Sequence, residues 1–388
     1  MLDEEWCYLK NNNSRLTKST SFDFLTDEVA KTVRRFHQGI EDYKTTPLIT
    51  LQQLALELNV DGIYIKDESS VIYLDSFKIL GASFAIFKLL YKTLISNSEP
   101  TSFADLKKLP KDKFTLVTAT DGNFGKAVAW VAQQLRQKAI VYVPHTMTMH
   151  RRNAIELLGA KVLEPQGEDR SYDGAVHELA TYPDKDNYLV ISDTSWMGYE
   201  EIPKSVMQGY LTICDEATEQ LGGLGIKKPS HIFLQVGVGG FAASVLGYYH
   251  SVFGNDRPIS ILVEPAAAAC ALQSAKNERR TKVETKNTIM VGLCCGEPST
   301  LAWPILHNYA DYFSSIPDRV ASYGVKILAE PKPSDKAIIS GESGAAGLGC
   351  LIHILRHNRD FAKKLGISSK STILLFNTEG ATDNTCIK

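Results

Sequence analysis

"LQVGVGGFAAS", residues 234–244, reads as a buried strand that runs into a glycine turn and then into a helix. Gly237, Gly239 and Gly240 suit a tight turn whose backbone amides gather around an anion at the start of the helix. Two ligands satisfy that pattern. Gly237-x-Gly239-x-x-Ala242 matches the fingerprint of a dinucleotide site, and Glu264 closes the next strand at about the distance a ribose partner requires. The same turn serves equally as a cradle for a single phosphate. Under either reading, strand, glycine turn and helix in this order imply an α/β protein with parallel strands.

Outward from this turn the chain alternates in the same way. Apolar strands are predicted over 63–68, 114–120, 138–144, 161–165, 187–192, 231–237, 259–265 and 371–377, with helical stretches over 124–137, 151–159 and 205–222 between them. Residues 97–113 and 219–230 carry the prolines, glycines and lysines of surface connections, and 277–288 is a charge-rich loop long enough to cover a site. A chain of 388 residues is expected to divide into two domains. The fold expected is two domains, each with a mostly parallel sheet flanked by helices: a larger one from 1–80 and 201–388, and a smaller one from 81–200.

Composition removes several classes of function. With 44% hydrophobic and 22% charged residues, the chain is that of a globular protein. A formal charge of −2 gives no basic footprint for nucleic acid. No apolar run approaches the ~18 residues that cross a bilayer. Residues 1–20 are polar and charged where a signal peptide needs an apolar core, so a cytoplasmic protein is expected. The seven cysteines are scattered and odd in number, which suits free thiols in a reducing compartment. Neither H-E-x-x-H nor a Cys/His cluster occurs, and no catalytic metal is expected.

Three further stretches carry chemistry. "LDSFKILGAS" (74–83) sets Lys78 among apolar residues. One reading is a lysine at a helix start that snorkels to water; the other is an amine held in an apolar site to attack a carbonyl. "TATDGNFGKAV" (118–128) brings a strand into Asp121, Gly122 and Asn123 before a helix opens. Asp121 or Asn123 would serve there as an ordinary helix cap, or Asn123 as an amide that both donates and accepts toward a ligand. "LLFNTEGATDN" (374–384) ends a last strand in Thr378 and Glu379, at the carboxyl edge where open α/β sheets bind ligands. Pyridoxal 5′-phosphate accounts for all four stretches together. Its aldehyde needs a lysine, its phosphate an amide cradle, and its ring hydroxyl and nitrogen polar partners. A nicotinamide site would leave Lys78 and the 118–128 turn without a role.

With these residues assembled, the sequence resembles the diaminopropionate ammonia-lyase family of the tryptophan-synthase β-subunit superfamily, the fold type II pyridoxal-phosphate enzymes. The resemblance rests on "TPL" (46–48), "KDES" (66–69), "FKILG" (77–81), "TDGNFG" (120–125), "DTSWMGY" (193–199), "QVGVGG" (235–240), "VEP" (263–265), "GLCCGEPS" (292–299), "SGESGAAGLG" (340–349) and "NTEGATD" (377–383), in the family's order. It implies a cofactor in the cleft between the domains. Lys78 becomes the Schiff-base lysine, Asn123 the partner of the ring hydroxyl, and Gly237, Val238, Gly239 and Gly240 the phosphate loop. Thr378 faces the ring nitrogen, where a hydroxyl favours elimination over transamination. Asp121, where many relatives carry serine, exchanges a proton with substrate, and Asp193 is a second acidic group near the pocket.

The implied reaction is α,β-elimination on 2,3-diaminopropionate or a close β-substituted alanine, giving pyruvate and ammonia. Lys78 removes the α-proton of an L-substrate, and Asp121 does so from the opposite face of a D-substrate. β-Replacement or racemisation on the same scaffold is the alternative. The implied partners are a small amino-acid substrate and a second copy of the chain in a homodimer, with no nucleic acid and no membrane. Phe124 stands where the family's asparagine loop carries histidine, which implies a less polar leaving group or substrate tail. The resemblance also brings Cys270 and Cys295 near one another at the cleft entrance. Two free thiols are expected there.

Overall fold

The computed structural model describes residues 6–15, 22–94, 102–120, 122–167, 169–182 and 187–381. Eleven strands are found among them: β1 (Cys7–Lys10), β2 (Leu48–Thr50), β3 (Gly62–Asp67), β4 (Thr115–Ala119), β5 (Lys138–Tyr142), β6 (Lys161–Leu163), β7 (Tyr188–Val190), β8 (His231–Gln235), β9 (Ile259–Pro265), β10 (Tyr312–Ile316) and β11 (Thr372–Asn377). They form two sheets flanked by helices. The larger has the order β1-β10-β9-β8-β11-β3-β2 and the smaller β6-β5-β4-β7. Every pairing in the small sheet is parallel. In the large sheet only the edge strands β1 and β2 run antiparallel to their neighbours.

Burial explains why the inner strands read so clearly. β4, β8, β9 and β10 are buried along almost their whole length, as strands covered by helices on both faces must be. The eight strands expected from sequence all form. β1, β2 and β10 were not legible: β1 and β2 are only four and three residues long, and β10 carries Ser314 and Ser315 in its middle.

The stretch expected as one helix over 205–222 is two, Glu201–Gly209 and Leu211–Gly223, which meet at Tyr210. The second helix carries the chain to Gly223, so only the latter part of 219–230 is a connection. It does so because Leu221 is buried in the core and cannot leave the helix. In 97–113, Phe103–Leu106 forms a helical turn held by two buried apolar side chains.

The helix Lys78–Leu94 begins with the lysine and crosses Glu201–Gly209 at very close range. Two glycines permit this. A Cβ on Gly209 would lie 2.4 Å from the Leu80 carbonyl oxygen and 2.6 Å from the Gly81 Cα, both backbone atoms. A Cβ on Gly81 would lie 2.6 Å from Cε1 of Tyr210, the residue where the two helices break. Behind the crossing, the buried His37 ring has Nε2 at 3.0 Å from the Leu80 carbonyl and Nδ1 at 2.7 Å from the Thr212 hydroxyl. Burial pushes this imidazole down to about 3, so it is neutral: Nε2–H donates to the carbonyl and Nδ1 accepts from the hydroxyl.

Lys66, wholly buried in β3, has a structural task. Its Nζ donates to the Thr46 carbonyl and to Glu216 Oε2, both at 2.7 Å, and to Gln220 Oε1 at 3.0 Å. A buried cation is tolerated when it is so fully paired. It pins the segment around Thr46 against the helix Leu211–Gly223.

Gly209→Ala is expected to destabilise the protein by ~1–3 kcal/mol, the usual size of an overpacking penalty, since backbone atoms cannot rotate away. Urea unfolding measures it, and an unchanged midpoint would show that the crossing yields.

Candidate active site

One cavity lies where the two sheets face each other. Lys78, Asn123, Asp193, Gly237, Val238, Gly239, Gly240 and Thr378 all line it. Asp121 lies outside the described residues.

Lys78 is the first residue of its helix, with its side chain 22% exposed. Nζ donates to Asp193 Oδ2 at 2.5 Å and lies 5.5 Å from the ring centre of Phe77 and 5.8 Å from that of Phe124. It thus has a carboxylate and two aromatic faces as neighbours rather than the open water of a snorkelling lysine. Asp193 is delivered by the turn after β7. The Tyr199 hydroxyl donates to the Val190 carbonyl at 2.8 Å and accepts from the Ser192 N–H at 3.0 Å, which staples that turn.

The glycine turn has the form of an anion cradle. Gly239 sits at φ +95°, where glycine alone is unstrained, and the helix Gly240–Phe253 follows. Among the described residues, the N–H groups of Val238, Gly239 and Gly240 have no acceptor, as the first donors of a helix have none within it. The turn is packed from behind: a Cβ on Gly237 would lie 3.1 Å from Cys295 Sγ, and one on Gly239 would lie 2.7 Å from Leu306 Cδ1. A hydroxyl cluster ties it to the Asp193 turn. Ser299 N–H donates to the Val238 carbonyl at 2.8 Å, and the Ser195 and Ser299 hydroxyls are 2.6 Å apart.

Asn123 does not cap its helix. Capping falls to the Thr120 hydroxyl, which accepts from Gly122 N–H at 2.9 Å and Gly125 N–H at 3.1 Å. The Asn123 amide instead crosses the cavity and donates from Nδ2 to Glu379 Oε2 at 2.7 Å. Gly122, at φ +147°, lets the turn pass the Arg151 guanidinium.

Two buried polar atoms on the cavity wall have no partner: Gln235 Oε1 and Ser343 Oγ. Reading the sequence did not single out these residues, nor Arg151. The one signal was a glutamine inside the apolar run "HIFLQVG". Gln235 Nε2 is held by the Gly344 carbonyl at 2.8 Å and by the Phe376 carbonyl at 2.5 Å, which leaves the oxygen toward the cavity.

The dinucleotide reading does not survive. Glu264 is wholly buried, and its carboxylate accepts from the N–H groups of Ala271 at 2.7 Å and Leu272 at 2.8 Å, at the start of the next helix. Burial pushes its carboxyl up to about 8. It caps a helix and offers nothing to a ribose. Cys270 and Cys295 are both free thiols, and burial pushes the Cys270 thiol up.

Known proteins match most of this chain. The family model described as pyridoxal-phosphate dependent enzyme matches residues 41–379. Diaminopropionate ammonia-lyase of Escherichia coli strain K12 is 42% identical over 357 residues, 91% of this chain and 89% of that enzyme. The crystal structure of the selenomethionine-incorporated holo form of the Escherichia coli enzyme superposes with a TM-score of 0.90 at 39% identity, covering 97% of this chain and 94% of that one. Its complex with an aminoacrylate–PLP azomethine reaction intermediate gives a TM-score of 0.87 at 38% identity, with the same coverage.

Gly239→Asp is expected to weaken binding of pyridoxal 5′-phosphate far more than it alters the folded protein. It sets a carboxylate against a phosphate at a backbone conformation that disfavours a side chain. Equal cofactor content in wild type and variant after dialysis would refute the cradle.

Proposed function

The chain belongs to the pyridoxal-phosphate dependent enzyme family, and from that premise we propose that it catalyses α,β-elimination on 2,3-diaminopropionate or a close β-substituted alanine, releasing aminoacrylate that water hydrolyses to pyruvate and ammonia. The observation that carries this reading is an amine, a carboxylate and an amide cradle lining one cavity, in a chain 42% identical to a diaminopropionate ammonia-lyase.

The donor set suits the cofactor. The unpaired amides of Val238, Gly239 and Gly240 match a phosphate, and the unpartnered oxygens of Gln235 and Ser343 mark a polar ligand opposite them. Gly237, Val238, Gly239 and Gly240 would hold the phosphate, Asn123 the ring hydroxyl, Thr378 the ring nitrogen and Lys78 the carbonyl carbon. When bound, the cofactor supplies a carbonyl that takes up the substrate amine and a conjugated ring that accepts the electron pair left at the α-carbon.

The chain supplies the proton transfers. Lys78 Nζ takes the α-proton of an L-substrate. Asp193 Oδ2, 2.5 Å from Nζ, balances the ammonium that results and exchanges its proton. Phe77 and Phe124 flank Nζ with apolar faces and exclude water from it. Asp121 protonates the departing β-amine, and it takes the α-proton of a D-substrate from the opposite face.

Two sheets with separate strand membership support a larger domain of 1–80 and 201–388 and a smaller one of 81–200. No helix among the described residues is long and apolar enough to cross a membrane. We assign the protein to the cytoplasm, as a homodimer, and light scattering at twice the chain mass would bear out the dimer.

An amino-acid panel with pyruvate and ammonia detection tests the reaction, with 2,3-diaminopropionate expected to lead it. Lys78→Ala is expected to lose the visible absorbance of the bound cofactor and several orders of magnitude in turnover while remaining folded. Borohydride labelling of wild type at any other lysine would reject the assignment.

Asp121→Asn keeps the size and shape of the side chain and removes only its acid–base chemistry. It is expected to retain the absorbance band and lose ~10²–10⁴-fold in elimination, with D-2,3-diaminopropionate affected more than L. Near-wild-type rates on both enantiomers would leave Asp121 without a chemical role.

A further inference from the structure

Glu379 is a buried carboxylate on the cavity wall to which the proposed reaction gives no part. It is held on both sides. Its backbone carbonyl accepts from Gly341 N–H at 3.1 Å, and the residue forms an antiparallel bridge with Ser76, two residues before Lys78. Its Oε1 accepts from Ser343 N–H at 3.2 Å, at the start of the helix Glu342–His357. A Cβ on Gly341 would lie 2.7 Å from that same oxygen, so the turn closes tightly over the carboxylate. Its Oε2 then meets Asn123 Nδ2 at 2.7 Å.

We propose that Glu379 is a positioning residue that fixes the orientation of the Asn123 amide, so that an N–H of Nδ2, and not the amide oxygen, is presented to the cofactor's ring oxygen. The inference rests on the proposed function, and specifically on Asn123 as the ring-oxygen partner.

The argument is one of donor and acceptor inventory. An ionised carboxylate accepts and never donates, so the amide edge 2.7 Å from Oε2 must be Nδ2. Nδ2 carries two hydrogens. One is committed to Glu379, and the other remains for a ligand. Without the carboxylate the amide is free to flip and would offer its oxygen to the ring oxygen as readily as its N–H. Burial and the nearby Glu342 push this carboxyl up from the usual carboxylate range, and the Arg151 guanidinium, Ser343 and Asn123 oppose that rise. The bond also spans the two sheets, since Glu379 follows β11 of the larger and Asn123 begins the helix after β4 of the smaller.

Three variants, Glu379→Gln, Asn123→Ala and the double variant, are prepared without cofactor and titrated with pyridoxal 5′-phosphate. The visible band of the bound cofactor is followed, and circular dichroism confirms folding. Glu379→Gln is expected to raise the cofactor Kd about 10- to 100-fold, the effect of losing a hydrogen bond to a charged group. In the double variant the two losses should not multiply, since both remove one contact. A Kd for Glu379→Gln within about twofold of wild type, or losses that multiply, would overturn the inference.

Should Glu379→Gln not fold, Asn123→Asp decides it. Two facing carboxylates must share a proton, so cofactor affinity is expected to rise as pH falls, beyond any trend in wild type. Affinity with the wild-type pH dependence would overturn the inference. A wild-type protein that binds no cofactor would instead overturn the proposed function itself.

Discussion

A lysine ammonium 2.5 Å from a carboxylate, between two phenylalanine rings, is the contact on which the site depends. Lys78 opens its helix, and the N-terminal end of a helix repels a cation. Asp193 offsets that cost, and the two residues come from separate elements, the start of a helix and the turn after β7. Much of the surrounding packing serves to keep them there. Gly81 and Gly209 let the lysine helix press against its neighbour, Tyr210 fills the gap at the helix break, and neutral His37 anchors the Leu80 carbonyl from behind. On the other side, Phe77 N–H donates to the Thr378 carbonyl at 3.2 Å, which ties the residue before the lysine to the end of β11.

How much of this the sequence disclosed follows a physical line. Strands buried on both faces are apolar throughout, and eight of them stand out for that reason. β10 is equally buried, yet Ser314 and Ser315 disguise it. The Ser314 hydroxyl lies 3.8 Å from Cys350 Sγ, a tertiary partner that no local pattern can reveal. The break at Tyr210 is likewise tertiary, because its ring is needed over Gly81.

In the site, Lys78 and the glycine turn could be found because each violates a local rule: a cation among apolar residues, and a triplet of glycines after a strand. Gln235 and Ser343 violate none strongly. They matter only because separate strand and helix ends bring them to one wall. Glu264 shows the opposite failure. Its spacing fitted a ribose partner, but spacing along the chain does not say which way a carboxylate turns, and this one turns inward to cap a helix.

The location of the site follows from strand direction. In a parallel sheet all carboxyl ends lie on one edge, and the two sheets here present those edges to a common cavity. β4 leads to Asn123, β7 to Asp193, β8 to the glycine turn and β11 to Thr378 and Glu379, so every named polar group except Lys78, Gln235 and Ser343 lies just beyond a parallel strand. Gln235 is itself the last residue of β8, and Ser343 begins a helix. The antiparallel edge strands β1 and β2 deliver no residue that lines the cavity, since their carboxyl ends point the other way. β9 also ends on the productive edge, where Glu264 turns back to accept from the N–H groups of Ala271 and Leu272 at the start of the next helix. Parallel direction therefore brings a strand end within reach of the cavity, and the hydrogen bonds available beyond it decide whether the side chain serves ligand or fold.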